Sequence, residues 1–189
     1  MEGAYASAMK LLGISGSLRA ASFNTALLRA AQELTPAGVE IEIFGLHDLP
    51  LFNQDVEDQG DPPAVTAWKD AVRAADGLLF ACPEYNNGIT GVLKNAIDWA
   101  SRGGPAPLTG QIACIFGASP GMTGSARGQD HLRLILRRTQ THVAPLSEVL
   151  VFQAHTKIDA EGVLTDQKTR EFLGRHLAGF VEAVKAYRA

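Results

Sequence analysis

Residues 77–91 read GLLFACPEYNNGITG and join an unbroken apolar run to a polar loop that contains glycine. The run, Gly77–Cys82, is typical of a central strand that is covered on both faces, since a strand with one solvated face alternates apolar and polar side chains. The loop follows the carboxyl end of this strand, which is where open α/β sheets bind their ligands. The segment therefore predicts a buried parallel strand that leads directly into a ligand site.

Strands and helices alternate along the rest of the chain. The other predicted strands are Lys10–Ser15, Val39–Phe44, Gln111–Gly117 and residues 147–152, and the predicted helices are one that begins after Ser22, Ala64–Ala75, Gly91–Ser101, Ser125–Thr139 and Lys168–Tyr187. Five strands that alternate with five helices predict an α/β fold with a parallel sheet and right-handed crossovers. We expect one domain over residues 10–189, preceded by a disordered extension of residues 1–9.

The composition narrows the classes of partner. The chain has 189 residues, of which 46% are hydrophobic and 20% charged, and its net charge is −3. Nucleic-acid and acidic-membrane binders usually carry a basic excess, so neither partner is expected. No apolar stretch approaches the length of a membrane span. Cys82 and Cys114 each lie in an apolar run, which indicates buried, reduced thiols of a cytoplasmic protein. The five histidines lack the spacing of a metal site, and no metal is expected.

The segment after the first predicted strand carries the groups that bind a phosphate. Its candidate residues are Ser15, Gly16, Ser17, Arg19, Ser22, Phe23 and Asn24. Hydroxyls, a guanidinium and free backbone N–H groups at a helix N-terminus all favour an anion. Neither G-x-G-x-x-G nor G-x-x-x-x-G-K-[ST] is present, which disfavours the classical dinucleotide and Walker-type sites. A turn with a helix cap and a solvent-exposed Arg19 is the alternative.

Two further loops end neighbouring predicted strands. The candidate residues are Pro83, Glu84, Tyr85, Asn86 and Gly88 after the third strand, and Gly117 and Ser119 after the fourth. The loop after the third strand can lay backbone amides along the edge of a flat heterocycle, and its glycine permits close approach. Each loop alone could be a capped or flexible connector. Because all three fall at one edge of one sheet, a single binding site is the better interpretation.

The same residues resemble a known family. Gly16-Ser17-Leu18-Arg19, Pro83-Glu84-Tyr85-Asn86 and Gly117-Ala118-Ser119 are similar to three loops of the NADPH-dependent FMN reductases, which include quinone, chromate and azo reductases. The resemblance runs from about Lys10 into the last helix. It implies a flavodoxin-like three-layer sandwich with strand order 2-1-3-4-5, bound FMN, NADPH or NADH as co-substrate, and self-association as a dimer or tetramer.

The resemblance also implies roles for single residues. Ser17, Arg19, Ser22 and Asn24 would hold the phosphate, Pro83, Glu84, Tyr85 and Asn86 would line the isoalloxazine ring, and Ser119 would help to close the site. No side chain is expected to be catalytic, because a flavin carries the hydride chemistry itself.

The predicted function is ping-pong hydride transfer from NAD(P)H to FMN and then to a small-molecule acceptor: a quinone, a metal oxyanion, an azo compound or free flavin. A flavodoxin-type electron carrier without NAD(P)H oxidation is one alternative, and a flavin-binding regulatory module is another. Self-association has separate support in the sequence, since Leu49, Leu51 and Phe52 place apolar side chains among carboxylates in the long polar segment Gly45–Pro63.

Overall fold

The structure, a computed structural model, describes residues 8–189. Its strands are β1 (Met9–Ser15), β2 (Val39–Phe44), β3 (Gly77–Ala81), β4 (Ile112–Ala118), β5 (His142–Val143) and β6 (Val149–Val151). Its helices are α1 (Phe23–Leu34), α2 (Gln54–Glu57), α3 (Pro63–Ala74), α4 (Gly91–Ala100), α5 (Ala126–Arg138) and α6 (Gln167–Arg188), with one 3₁₀ turn at Ala154–Thr156. Of the predicted extension, residues 1–7 lie outside the described residues, and Met9 is already the first residue of β1.

All strand pairs in the sheet are parallel, and the order is β2-β1-β3-β4-β5. The predicted order 2-1-3-4-5 is therefore confirmed. The sequence missed one strand, because the last position of the sheet is shared by two short ones. β5 pairs with the start of β4 and β6 with its end. Pro145 lies between them and has no N–H to donate to a ladder.

The sheet is covered on both faces. Alternate side chains of β1 and β3 belong to different cores: Leu11 and Leu79 pack with α1 and α6, whereas Leu12 and Leu78 pack with α3, α4 and α5. Every residue of β3 is buried, as its unbroken apolar run predicts. The result is the predicted three-layer sandwich, with the loops at the carboxyl ends of β1, β3 and β4 brought to one edge.

Hydrogen bonds hold the long polar segment between β2 and α3 against α4. Its short helix α2 was not predicted. The carbonyl of Pro50 accepts a hydrogen bond from Trp99 Nε1 at 2.8 Å, and the N–H of Phe52 donates to Asn95 Oδ1 at 2.7 Å. Phe52 packs edge-on against Trp99, whereas Leu51 is 83% exposed. The exposure predicted for this segment therefore holds for Leu51 and not for Phe52.

Candidate functional site

Three loops meet at the carboxyl edge of the sheet: the first loop (residues 15–24), the second loop (residues 82–90) and the third loop (residues 117–125). They enclose a cleft of about 270 Å³. The cleft is lined by Ser17, Arg19, Ser22, Phe23, Asn24, Pro83, Glu84, Tyr85, Ala118, Ser119 and Pro120. Of the predicted site residues, Ser15, Gly16, Asn86, Gly88 and Gly117 lie outside this lining. Ala118 and Pro120 were not predicted.

The first loop presents unused donors to the cleft. Ser22 is the N-cap of α1, and its Oγ accepts a hydrogen bond from the N–H of Thr25 at 3.2 Å. The N–H groups of Phe23 and Asn24 belong to the first turn of α1 and have no partner within the helix. Arg19 is exposed, and its guanidinium carbon lies 5.2 Å from the centroid of the Phe23 ring. Within residues 8–189 no carboxylate pairs with Arg19, so its charge is available to an anion.

Serine hydroxyls shape the start of this loop. The buried Oγ of Ser15 accepts hydrogen bonds from Thr25 Oγ1 at 2.9 Å and from the N–H of Ser17 at 3.4 Å. The Oγ of Ser17 accepts in turn from the N–H of Arg19 at 3.3 Å. A hydroxyl that accepts one bond keeps its own hydrogen to donate. Ser15 therefore supports the loop from inside, while Ser17 keeps a donor for a ligand.

Asn24 joins two of the three loops. Its Nδ2 donates to the carbonyl of Ala118 at 3.0 Å, and the N–H of Ala118 donates to Asn24 Oδ1 at 3.0 Å. The side chain is buried, and these two bonds fix the start of α1 to the end of β4. The phosphate role predicted for the Asn24 side chain stays a prediction, since the structure shows it tying backbone to backbone.

The second loop turns back on itself through two asparagines. Asn86 and Asn87 have φ values of 52° and 64°, and Tyr85 and Gly88 exchange two backbone hydrogen bonds of 3.0 and 3.1 Å. Two consecutive left-handed residues between such a pair are typical of a type I′ turn, which asparagine tolerates better than most residues. Gly88 was expected to permit close approach, and a Cβ there would lie 2.9 Å from His131 Nδ1.

Glycines let the three loops pack backbone to backbone beneath the cleft. A Cβ on Gly16 would lie 2.7 Å from Pro83 Cδ, and one on Gly117 would lie 2.4 Å from the carbonyl oxygen of Cys82. Both distances are shorter than a real Cβ contact. The cofactor-binding role predicted for Gly16 and Gly117 stays a prediction. Neither residue lines the cleft, and the absence of a side chain at each allows the neighbouring loops to touch.

Sequence reasoning overlooked Thr90. It is the N-cap of α4, where its Oγ1 accepts from the N–H of Leu93 at 3.2 Å and donates to the carbonyl of Gly16 at 2.6 Å. A threonine immediately before a helix is a recognisable cap signal, so the first role was available from the sequence. The second role joins residues 74 positions apart and was not.

The only cysteine beside the cleft is a packed thiol. Burial raises the pKa of Cys82 to about 12, and the negative charge of Glu84 adds to the increase. Its thiol stays protonated near neutral pH and is not poised as a nucleophile. Within residues 8–189 no group of His, Cys, Asp and Glu side chains is arranged to hold a metal ion, and no helix is long and apolar enough to cross a membrane.

Two larger cavities lie away from these loops. One cavity of about 880 Å³ lies between α4 and α5, and another of about 700 Å³ lies beside β5. Neither contains a residue of the first or second loop. Size alone therefore does not identify the ligand site, and we place it where the loop donors converge.

Comparison with known proteins identifies the family of this chain. Residues 9–156 match the NADPH-dependent FMN reductase family. The chain belongs to this family. It is 48% identical over 169 residues to an NAD(P)H-dependent FMN reductase of Pseudomonas aeruginosa, a match that covers 89% of this chain and 91% of the relative. It is 42% identical over 171 residues to an NAD(P)H:quinone oxidoreductase of Solanum tuberosum, which covers 87% of each.

A solved structure supports the same assignment. The flavoenzyme NAD(P)H:(acceptor) oxidoreductase FerB from Paracoccus denitrificans matches with a TM-score of 0.86 at 33% identity, over 95% of this chain and 98% of that one. This NADPH-dependent FMN reductase family member is therefore an oxidoreductase that uses FMN and NAD(P)H, as predicted.

The packing at Gly117 predicts that Gly117→Ala destabilises the protein. The added Cβ would lie 2.0 Å from Ser125 Oγ as well as 2.4 Å from the Cys82 carbonyl, and both neighbours are buried. Overpacking of this kind costs about 1–3 kcal/mol of unfolding free energy. Urea denaturation of the apo-protein measures it.

Gly174→Ala is the matched control, because a Cβ at this position in α6 meets nothing within 4 Å. Alanine favours a helix over glycine by about 1 kcal/mol, so this variant should be as stable as the parent or more so. Equal stabilities for the two variants would contradict the close contact at Gly117.

Proposed function

We propose that residues 10–189 form one FMN-binding domain that reduces a small-molecule acceptor with electrons from NAD(P)H, and that FMN binds in the cleft between the three loops. The observation that carries the proposal is the first loop: an unpaired Arg19, a free Ser17 hydroxyl and the open N-terminus of α1 lie together on one wall of the cleft. This set fits a phosphate monoester.

The other residues of the cleft suit the rest of the cofactor. Pro83, Glu84 and Tyr85 line the second wall, and the 58% exposed Tyr85 stands at its rim. Ser119 lies in the third loop, where its N–H donates to the carbonyl of Val151 at 3.0 Å and fixes its position beside β6. We assign Pro83, Glu84, Tyr85 and Asn86 to the ring end of FMN, and Ser17, Arg19 and Ser22 to its phosphate.

The chain's contribution to the reaction is binding and orientation. Bound FMN would supply the hydride chemistry between NAD(P)H and the acceptor, and the residues of the cleft would hold and orient it. Among the described residues that line the cleft, none is a histidine or a cysteine, and we assign the redox chemistry to the cofactor. The acceptor we propose is a quinone, a metal oxyanion, an azo compound or free flavin, each of which would enter the cleft after the oxidised nicotinamide leaves it.

Steady-state kinetics test this function. Because donor and acceptor occupy the same small cleft in succession, double-reciprocal plots for NADPH at several quinone concentrations should be parallel. In the absence of acceptor, anaerobic NADPH should bleach the flavin absorbance of the purified protein. Intersecting lines would show a ternary complex, and a flavin that NADPH and NADH leave oxidised would show an electron carrier or a binding module instead.

Arg19→Ala should weaken FMN binding about tenfold to a hundredfold. A hydrogen bond to a charged partner contributes roughly 1.5–3 kcal/mol, and Arg19 can bind phosphate oxygens with two donors. Riboflavin has no phosphate, so its dissociation constant should change much less. Fluorescence titration of the apo-protein with each flavin measures both.

Arg175→Ala is the control for this substitution. Arg175 is also exposed and lies 5.7 Å from the centroid of the Phe172 ring, but on α6 outside the cleft. Its loss should leave both dissociation constants unchanged. Equal weakening of FMN and riboflavin by Arg19→Ala would mean that Arg19 supports the loop and not the phosphate.

We also propose that the protein self-associates as a dimer or tetramer through the carboxyl edge of the sheet. Exposed apolar side chains gather there: Leu18, Tyr85 and Met122 belong to the three loops of the cleft, and Leu51 follows β2. Such a patch on a monomer would face water. Sedimentation velocity at micromolar concentration should give at least a dimer. Leu51→Glu should shift the protein toward monomer. Val163→Glu is the control and should not, because Val163 is 45% exposed but lies in a separate hairpin. A fully active monomer would refute the proposal.

For location we propose the cytoplasm. The support is that Cys82 and Cys114 are both free and buried, as expected of a protein kept in reducing surroundings. Recovery of the native protein in a secreted or membrane fraction would contradict this.

A further inference from the structure

Helix α5 receives its N-terminal cap from a distant residue. Glu84 Oε2 accepts hydrogen bonds from the N–H of Arg127 at 2.9 Å and from the N–H of Gly128 at 3.1 Å. These N–H groups lie in the first turn of α5 and have no partner within the helix. Ser125, at the usual capping position, has a φ of 72° and makes no side-chain cap. A carboxylate from the second loop therefore replaces the local cap.

The same turn of α5 also lies against the backbone of the second loop. A Cβ on Gly128 would be 3.1 Å from the carbonyl oxygen of Pro83 and 3.2 Å from Glu84 Cβ. Contacts this short leave no room for a larger residue without moving the loop or the helix. The hydrogen bonds of Glu84 hold the second loop close to the first turn of α5, and the absence of a side chain at Gly128 makes this close approach possible.

Two side chains of α5 hold the remainder of the loop. Arg127 Nη1 donates to Asn87 Oδ1 at 2.9 Å, and the N–H of Ile89 donates to His131 Nδ1 at 3.4 Å. Asn87 is one of the two left-handed residues of the turn, a conformation that costs free energy and persists where its surroundings enforce it. From Glu84 to Ile89, the second loop is held by α5.

We propose that Glu84 is a positioning residue: its carboxylate fixes the second loop on α5 and so places the backbone that meets the flavin ring. The proposal rests on the function proposed above, in which this loop lines the ring end of FMN. It assigns the charge of Glu84 to the helix N-terminus, where a carboxylate is favoured by the helix dipole, and not to the reacting ring.

Loss of the cap should weaken the binding of every ligand whose ring contacts the second loop. Glu84→Ala is expected to raise the dissociation constants of FMN and riboflavin by the same factor, about fivefold, which is the typical loss of one helix cap expressed as a ratio. Glu84→Gln should restore most of the affinity for both, because its carbonyl oxygen can still accept the two N–H groups. Arg19→Ala, by contrast, separates FMN from riboflavin.

The experiment titrates full-length apo-protein with FMN and with riboflavin by fluorescence, and records its Tm. Asp166→Ala is the matched control: Asp166 caps α6, its Oδ1 accepts from the N–H of Thr169 at 2.9 Å, and it lies outside the cleft. Both alanine variants should lower Tm by similar amounts, but only Glu84→Ala should weaken flavin binding.

Gly128→Ala gives an independent test if Glu84→Ala does not fold. Alanine favours the helix, so the fold should persist, while the added Cβ presses on Pro83 and Glu84. Equal weakening of both flavins is expected again.

Three results would overturn the positioning role alone. The first is that Glu84→Ala and Gly128→Ala both bind the two flavins with wild-type affinity. The second is that these variants lose affinity for FMN but not for riboflavin. The third is that Glu84→Gln binds the flavins as weakly as Glu84→Ala does. A parent protein that binds neither flavin would overturn the proposed function and the positioning role together.

Discussion

Backbone segments touch directly at the carboxyl edge of the sheet, and the rest of the site depends on that contact. Gly16 lies against Pro83 and Gly117 against the Cys82 carbonyl at distances that a Cβ would not permit, and Gly128 lies so close to Glu84 that a Cβ would have to displace it slightly. Close packing transmits small displacements because interiors have few voids to absorb them. The relative position of the loops is therefore set by contacts at Gly16, Gly117 and Gly128, none of which lines the cleft.

This buried contact frees the groups above it for a ligand. Hydrogen bonds to Ser15 and Ser17 hold the shape of the first loop. They leave the Arg19 guanidinium without a carboxylate partner, and the N–H groups of Phe23 and Asn24 without a partner within the helix, in the described residues. The second loop does the opposite. Its turn through Asn86 and Asn87 is closed by the backbone bonds between Tyr85 and Gly88 and is held in place by α5. The first loop therefore contributes a positive charge to the cleft, and the second loop contributes a backbone of fixed position.

The sequence predicts most of the architecture because its strongest signals are local. An unbroken apolar run predicts β3, and glycines and hydroxyls after β1, β3 and β4 predict the edge at which the candidate cleft lies. The two residues of β5 are too few to show periodicity, so that strand was missed. Asn24 and Glu84 were assigned to the ligand because their side chains are polar and follow strand ends. Asn24 bonds with Ala118, 94 positions away, and Glu84 with Arg127, 43 positions away. The spacing of residues in a single sequence does not predict such pairs.

The few titratable groups of the cleft walls are divided between the ligand and the protein in the same way. The titratable side chains among the lining residues are Arg19, Glu84 and Tyr85, and the structure gives Glu84 to the cap of α5. Cys82 lies just beneath, but burial keeps it protonated. With FMN bound as proposed, such a site would select its acceptor by shape and exposure. The exposed rim formed by Leu18, Tyr85 and Met122 is apolar and belongs to all three loops, so a partner that covers the rim would also limit which acceptors reach the ring. Self-association through the rim would therefore act on substrate choice and on the cleft at once.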